Sequence, residues 1–329
     1  MKKIWSYILF VTCAMGSSEH TVPIGVTNIN IPAGTQANPS YTFISSAYNQ
    51  EHAYAGMIDE INGASLTLSN FSLAGYEDNE LTQSGHLLRI VDGNADGNAD
   101  MNSVVNGMVF PVIGDVVTIN ATTAEISAYI SLYDSIEIIK ANTLESLFGA
   151  GDDFVGLTGK PSSGDNIYVW NSVGWKVYFH YNNKWQTFGT RSDQKETIIY
   201  PDEGMIYVRR SDAITLSFSG NVPLSVQCYR PSRDFKFLMS NPFPVAMTLS
   251  QLIDTSSNWS SNTNIIDADQ ILVWTGSAWA IYFHNGTDWI NYMTSQIDDK
   301  SIEAGSSFMI IRSLDLSITE GYNKVDLPE

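Results

Sequence analysis

The segment 165-DNIYVWNSVGWKVYFHYNNKWQTF-188 recurs 104 residues later as 269-DQILVWTGSAWAIYFHNGTDWINY-292. Asp165, Trp170, Trp175, Tyr178, Phe179, His180 and Trp185 return as Asp269, Trp274, Trp279, Tyr282, Phe283, His284 and Trp289. So many rare residues at one offset identify a tandem repeat, and a repeat organises a chain before any other signal does. Further on, Ile198, Gly204 and Arg209 answer to Ile302, Gly305 and Arg312, with a one-residue slip in the turn between. Each copy is expected to open with a short helix, Thr143 to Phe148 or Thr248 to Ile253, and to continue in about five short strands separated by turn signals. The second copy shows a hairpin most clearly: "AIYFH", then "NGTD", then "WINYM", in which Asn285 and Gly286 tolerate the positive φ of a tight turn.

Outward from the repeats, "YRPSRDFKFLMSNPFP" reads as a linker whose prolines mark a boundary. Ahead of the first copy, "TNINI", "YTFIS", "AGMIDEI", "SLTLS", "HLLRIV", "MVFPVI", "DVVTIN" and "SIEIIK" read as strands separated by Asn, Gly and Asp turns. Short strands at close spacing point to a barrel or a sandwich, and the pattern does not choose between them. The expected fold is therefore mainly β: an N-terminal β barrel or sandwich followed by two tandem small β modules, each opening with a short helix. The expected boundaries are a leader over 1–16, the N-terminal unit over 17–140, repeats over 141–230 and 246–329, and a linker over 231–245.

The N-terminus, Met1, Lys2, Lys3, then "IWSYILFVTCAM" and Gly16, has the charged, apolar and small-residue sections of a signal peptide. Ala14 and Gly16 place the cut after Gly16. A lipoprotein reading through Cys13 is weaker, because "FVTC" lacks the leucine and small residue usual before a lipidated cysteine. The apolar stretch is too short to span a bilayer, and no later segment approaches the length of a membrane helix. Cleavage removes two lysines and no acid, leaving 15 basic against 35 acidic residues and a formal charge of −20. Such a chain is a poor partner for nucleic acid or anionic lipid. Only Cys228 survives cleavage, so no disulfide can form within the mature chain and its stability rests on the core.

"TVPIGVTNINIPAGT", "GMIDEINGASLTLS", "DSIEIIKANTLESLF", "PDEGMIYVRR" with "LSFSGNVP", and "NPFPVAMTLSQLI" with "DADQILVW" are similar, in that order, to the pattern of an uncharacterised family of exported, β-rich proteins from verrucomicrobial-type bacteria. The resemblance spans nearly the whole mature chain. It implies export to the medium or the cell surface and a β architecture, and it brings no activity to any residue. Members often end in a sorting or anchoring tail, whereas this sequence stops at "NKVDLPE".

Three constellations bear on chemistry. Trp185 and Trp289, just after the turns, are the candidates for exposed platforms that stack on sugar rings; the competing reading is core packing, to which aromatics contribute most in small β domains. His180 and His284 occupy matched positions, but neither has a second ligand at metal spacing, and shared packing explains matched positions in a repeat. "DGNADGNADMNS", residues 92–103, is the calcium candidate. With Asp92 at position 1, Asn94, Asp96 and Asn98 fall at 3, 5 and 7, Gly97 supplies the turn at 6 and Asp100 sits at 9. Ser103 stands at position 12 instead of a bidentate carboxylate and the flanks read as strands, so this is not an EF-hand. An Asx and glycine turn with no ion explains the same residues.

Motifs of hydrolases, zinc peptidases and nucleotide-binding enzymes are missing. The expected role is thus an exported structural or surface-interaction protein, not an enzyme, with extracellular polysaccharide or copies of itself as partners and calcium as the one cofactor considered. Carbohydrate binding by the repeat tryptophans is the alternative, and hydrolysis of polysaccharide ranks below it. If Asp92, Asn94, Asp96, Asn98 and Asp100 hold calcium, calorimetry of the mature chain at millimolar ion gives a saturable binding heat. A flat titration assigns the stretch to a simple turn.

Overall fold

The computed structural model describes residues 23–50, 52–68, 85–92, 109–113, 117–119, 126, 129–171, 174–223, 227–229, 236–255, 259–313 and 323–325. The fold is mainly β, as expected. Strands β1 (Ile24–Ile31) and β2 (Ser40–Ile44) come first, followed by β3 (His52–Asn62), β4 (Ser65–Leu68), β5 (His86–Asp92), β6 (Val109–Ile113), β7 (Val117–Ile119) and β8 (Ser135–Lys140). Next come β9 (Asn142–Thr143), helix α1 (Leu144–Phe148), β10 (Asn166–Asn171), β11 (Gly174–Tyr181), β12 (Lys184–Thr187), β13 (Ile198–Ile199), β14 (Met205–Arg209) and β15 (Ile214–Asn221). The remainder is β16 (Gln227–Tyr229), β17 (Lys236–Ser240), β18 (Met247–Thr248), helix α2 (Leu249–Leu252), β19 (Gln270–Trp274), β20 (Trp279–His284), β21 (Trp289–Asn291), β22 (Gln296–Ile297), β23 (Ser301–Ile302), β24 (Ser307–Ile311) and β25 (Asn323–Val325). Among the described residues no helix is long and apolar enough to cross a membrane.

The choice between barrel and sandwich resolves to a closed barrel in the order β3-β4-β7-β6-β5-β8. Alternate residues point inward, as closure requires: Leu88 and Ile90 from β5 and Ile136 and Ile138 from β8 meet Ile58, Leu66, Leu68, Phe110 and Val112 in its core. All eight strands expected ahead of the repeats are found, but only six enter the barrel.

The first two strands belong elsewhere, and this corrects the boundary drawn at 17–140. β2 pairs antiparallel with β14, Ile44 opposite Met205 and Ser40 opposite Arg209, at the edge of a sheet ordered β12-β11-β10-β14-β2. β1 pairs along its whole length with β15, from Ile24 opposite Asn221 to Ile31 opposite Ile214. The second module repeats both pairings: β17 lies on β24 in the sheet β17-β24-β19-β20-β21-β22, and β16 pairs with β25. Within the stretch read as a linker over 231–245, Lys236–Ser240 forms β17, an edge strand of the second module. The first module runs from β1 to β15 with the barrel inserted between β2 and β9. Asn142, buried, ties the two ends of the insertion together: its Oδ1 accepts from Gln50 Nε2 at 2.6 Å and its Nδ2 donates to the Tyr48 carbonyl at 2.9 Å.

Strand register also shifts the sequence equivalences. Thr143 lies opposite Ile198 and Thr248 opposite Ser301, so Ile302 corresponds to Ile199, and both are buried. Likewise Met205 opposite Ile44 and Phe308 opposite Met239 equate Gly204 with Ser307, not with Gly305. The helices start where expected because their first turns are capped. Thr143 Oγ1 accepts from Ser146 N and Ser146 Oγ accepts from Thr143 N, while Gln251 Oε1 accepts from Thr248 N.

The two modules meet reciprocally. Ser45 N donates to the Gly305 carbonyl at 2.8 Å, and its counterpart Ser240 N donates to the Asp202 carbonyl at 3.1 Å. Ile44 bridges to Ser306, and its counterpart Met239 bridges to Glu203. Residue i contacting j while j′ contacts i′ is the signature of a two-fold, so the pair behaves as a dimer within one chain. Gly204 and Ser307, equivalent positions, face each other there. A Cβ at Gly204 would lie 2.6 Å from Ser307 Cβ, which leaves room for only one side chain at the meeting point.

Glu203, half-buried in this seam, accepts from Tyr200 N at 3.1 Å. Burial pushes its carboxyl up to about 8, with Asp202 adding to the rise and the Tyr200 N–H and Lys176 opposing it. The native chain therefore holds a proton that the unfolded chain releases near the ordinary carboxylate value of about 4.3. Stability contributed here is full below that value and falls as pH rises toward about 8. Thermal melts should show wild type and Glu203→Gln together in acid and the variant higher in mild alkali. Parallel curves across the whole range would contradict this account.

Candidate functional site

Residues shared by the two modules are the place to look for a duplicated site, and three sets are matched in space as well as in sequence. The first is a buried ion pair. Asp165 Oδ2 accepts from Arg209 Nη1, from Tyr207 Oη at 2.9 Å and from Leu157 N at 2.9 Å, while its Oδ1 accepts from Arg210 N at 2.9 Å. In the second module Asp269 pairs with Arg312 Nε at 2.9 Å and accepts from Ser260 N and Ser313 N. Each carboxylate thus pins a loop to the end of its sheet, and its charge is compensated as burial demands. Burial, with the neighbouring Asp165 carboxylate, raises the Tyr207 phenol far above its ordinary value, so it serves as a hydrogen-bond donor.

Histidines form the second set. His180 Nδ1 lies 3.1 Å from Thr158 Oγ1, and His284 Nδ1 lies 2.8 Å from Ser261 Oγ. Both rings pack edge-on against the module tryptophan, 5.7 Å from Trp185 and 5.4 Å from Trp289 between centroids. Burial lowers the proton affinity of His180, with Asp193 opposing. The structure puts these rings inside two separate cores and does not bring them together.

Trp185 and Trp289 complete that arrangement, which overturns their reading as exposed platforms: they are 0% and 2% exposed. Trp185 packs against Phe148 and Phe154 and donates Nε1 to the Gly149 carbonyl at 2.8 Å. Trp289 packs against Trp259. Each follows a hairpin turn, but its strand position turns it toward the helix and into the core, where a large aromatic buries more area than any other residue.

Four other tryptophans stand at the hairpin ends, Trp175 exposed and Trp170, Trp274 and Trp279 half-buried. Trp170 stands directly opposite Trp175 across β10 and β11, and Trp274 opposite Trp279 across β19 and β20, each pair bracketing its turn. The pairs meet edge to face, at 5.0 Å and 82° and at 5.2 Å and 66°. Trp274 and Trp279 pack on Phe43 of the first module at 6.2 and 4.9 Å, and Trp274 Nε1 donates to the Tyr41 carbonyl at 3.0 Å. Trp170, Tyr168 and Met309 flank the same apolar seam, formed by Phe43, Ile206, Val208 and Leu238. Tyr41 is 43% exposed and Trp175 37%. Reading along the sequence missed this set because it looked for platforms only among the tryptophans just after the turns, Trp185 and Trp289. The signal was present in the spacing, since two tryptophans flanking a four-residue turn must pair across it.

Of the expected calcium ligands, Asp92 ends β5 opposite Ser135, and Asn94, Asp96, Asn98 and Asp100 lie outside the described residues. The leader over 1–16, with Cys13, lies outside them too. Among the described residues no group of three or more His, Cys, Asp or Glu side chains is placed to hold a metal ion. No known protein family, curated protein or solved structure matches the chain.

The two classes of tryptophan should separate in stability. Trp185→Ala is expected to cost about 3–5 kcal/mol in chemical denaturation. Trp175→Ala, at the edge of the seam, should cost less than half of that. Equal losses would place Trp175 in the core.

Proposed function

We propose that this chain is an exported, non-catalytic surface-interaction protein in which two duplicated β modules form a fixed base and the inserted barrel is the part carried outward. The observation that supports this reading is the insertion itself. Two modules with the same strand pairings differ chiefly in that one carries about ninety extra residues, held at the root by Asn142. Their matched polar residues, Asp165 with Arg209, Asp269 with Arg312, and the two histidines, serve hydrogen bonds that hold loops to sheets. Duplication has thus kept the frame, while chemistry toward a partner belongs to what is not shared. Export rests on the leader pattern of residues 1–16. Calcium, in this reading, stiffens the segment joining β5 to β6 on the barrel, and the partners are extracellular polysaccharide or other copies of the chain.

Sedimentation tests the proposal. The purified mature chain is mixed with washed, insoluble envelope and extracellular material, with calcium or with chelator. The chain is expected to pellet with the solid even in high salt, without releasing soluble sugar. Retention in the supernatant under both conditions would refute surface interaction, and release of reducing ends would assign a hydrolase instead.

A further inference from the structure

We propose that β1 is an open sheet edge through which two copies of the chain pair, β1 of one antiparallel to β1 of the other. This names one partner within the surface-interaction reading above, a second copy, and rests on that reading.

The edge is free and firmly held. β1 and β15 form a two-stranded sheet of their own, so among the described residues no strand lies along the other side of β1. Half of its N–H and C=O groups therefore point away from β15, and an unpaired row of that kind is a template for a further strand. Its inner side is fixed to the core: Thr27 Oγ1 lies 2.8 Å from Tyr48 Oη, Ile31 is buried, and a Cβ at Gly25 would meet the Tyr48 ring at 2.4 Å. Across the ribbon Asn28 Oδ1 accepts from Ser217 Oγ at 2.7 Å and Asn30 Oδ1 from Thr215 Oγ1 at 3.0 Å. A strand held on both counts loses little freedom when a second one docks.

Charge distinguishes this edge from its counterpart. Natural edges are blunted by charged residues, lysine above all. In a chain that is 16% charged, residues 21–50 and 213–229 contain no Asp, Glu, Lys, Arg or His. In the second module the ribbon strands β16 and β25 have three residues each, against eight in β1 and in β15. "VPIGV" at 22–26 answers to "VPLSV" at 222–226, and Thr27 lies opposite Phe218 as Gln227 lies opposite Val325. Carried along the sequence, that register puts Arg230 at the place of Asn30, Lys324 at that of Ser217 and Asp326 at that of Ser219. One copy of the ribbon is guarded by charge and the other is bare.

A second copy is the occupant that fits a bare edge on this chain. With a net charge of −18, two copies repel wherever their charges meet and can approach along a stretch that has none. Ile24 and Val26, 77% and 62% exposed, are the apolar part of the edge. An antiparallel two-fold centred on Gly25 lays Ile24 of each copy against Val26 of the other, so one surface serves both partners. Cross-strand aliphatic pairs of this kind stabilise a sheet, and like charges placed opposite each other would undo it.

Sedimentation velocity of the purified mature chain over a wide range of concentration tests the pairing. Wild type should pass from monomer to dimer as concentration rises, whereas Val26→Lys and Asn28→Lys should dissociate about tenfold more readily or stay monomeric. Phe188→Lys, a charge at an exposed position beside β12, should dimerise as wild type does. Hydrogen exchange at low and high concentration reads the same contact without a variant: amides of residues 24–30 should slow on association. A wild type that stays monomeric, lysine variants in β1 that dimerise as tightly as wild type, or unchanged exchange in β1 overturns the proposal. A monomer that pellets with envelope material refutes the pairing and leaves surface interaction standing, whereas a β1-paired dimer that stays in that supernatant does the reverse.

Discussion

Everything in the first module depends on the pairing of β2 with β14, which joins residues 40–44 to residues 205–209 across an inserted barrel. The loop closed by that contact is long, and loop closure grows costly only logarithmically with length, so an insertion between β2 and β9 is tolerable if its own ends come together. They do: Gln50 and Asn142 share a hydrogen bond at the root, and Ala141 N donates to the Gly85 carbonyl as the chain leaves the barrel. Leu87 and Ile139 on the outer face of the barrel then pack with Ile198 and Tyr200 of the module. The barrel is thus seated, not tethered.

Reciprocity at the seam follows from that pairing, since β2 and β17 both present their ends to the opposite module. A two-fold brings equivalent positions face to face, and equivalent positions cannot both carry bulk. Gly204 opposite Ser307 is one solution to that constraint, and Phe43 in place of Leu238 is another, because the larger ring reaches across to Trp274 and Trp279. Glu203 against Ser306 breaks the symmetry in charge: one side keeps a neutral hydroxyl and the other a carboxyl whose ionisation burial resists. The seam therefore constrains sequence divergence between the copies more tightly than their outer edges do.

Legibility in the sequence tracked how local each signal was. The Asn285 and Gly286 turn, the two short helices and the strands set off by Asn, Gly and Asp turns all rest on residues close together in the chain, and these elements are present. Barrel closure was not legible, because closing β8 onto β3 and β5 depends on pairings far apart in the chain. Nor was the membership of β1 and β2 in the first module, although a trace existed: "VPIGV" at 22–26 is answered by "VPLSV" at 222–226, ahead of β17. That echo is short and lies at a different offset from the tryptophan repeat, since the barrel separates the two parts of one copy only. For the tryptophans, identity and spacing were visible but direction was not. A residue just past a turn can face either way, and the face follows from which side α1 or α2 covers.

Duplication also separates frame from surface without reference to any other protein. A position required by the frame should recur in both copies with the same environment, as Asp165 and Asp269, His180 and His284, and Trp185 and Trp289 do. The hairpin-end tryptophans recur too, yet their environments differ: Trp274 donates to the Tyr41 carbonyl, whereas Trp170 Nε1 is buried without a partner among the described residues. Frame alone would favour the satisfied arrangement on both sides, because an unpaired buried N–H costs about 1–3 kcal/mol. Retention of the indole on the unsatisfied side therefore points to its ring and not to its N–H. Ring surface is also what the two copies share at these positions.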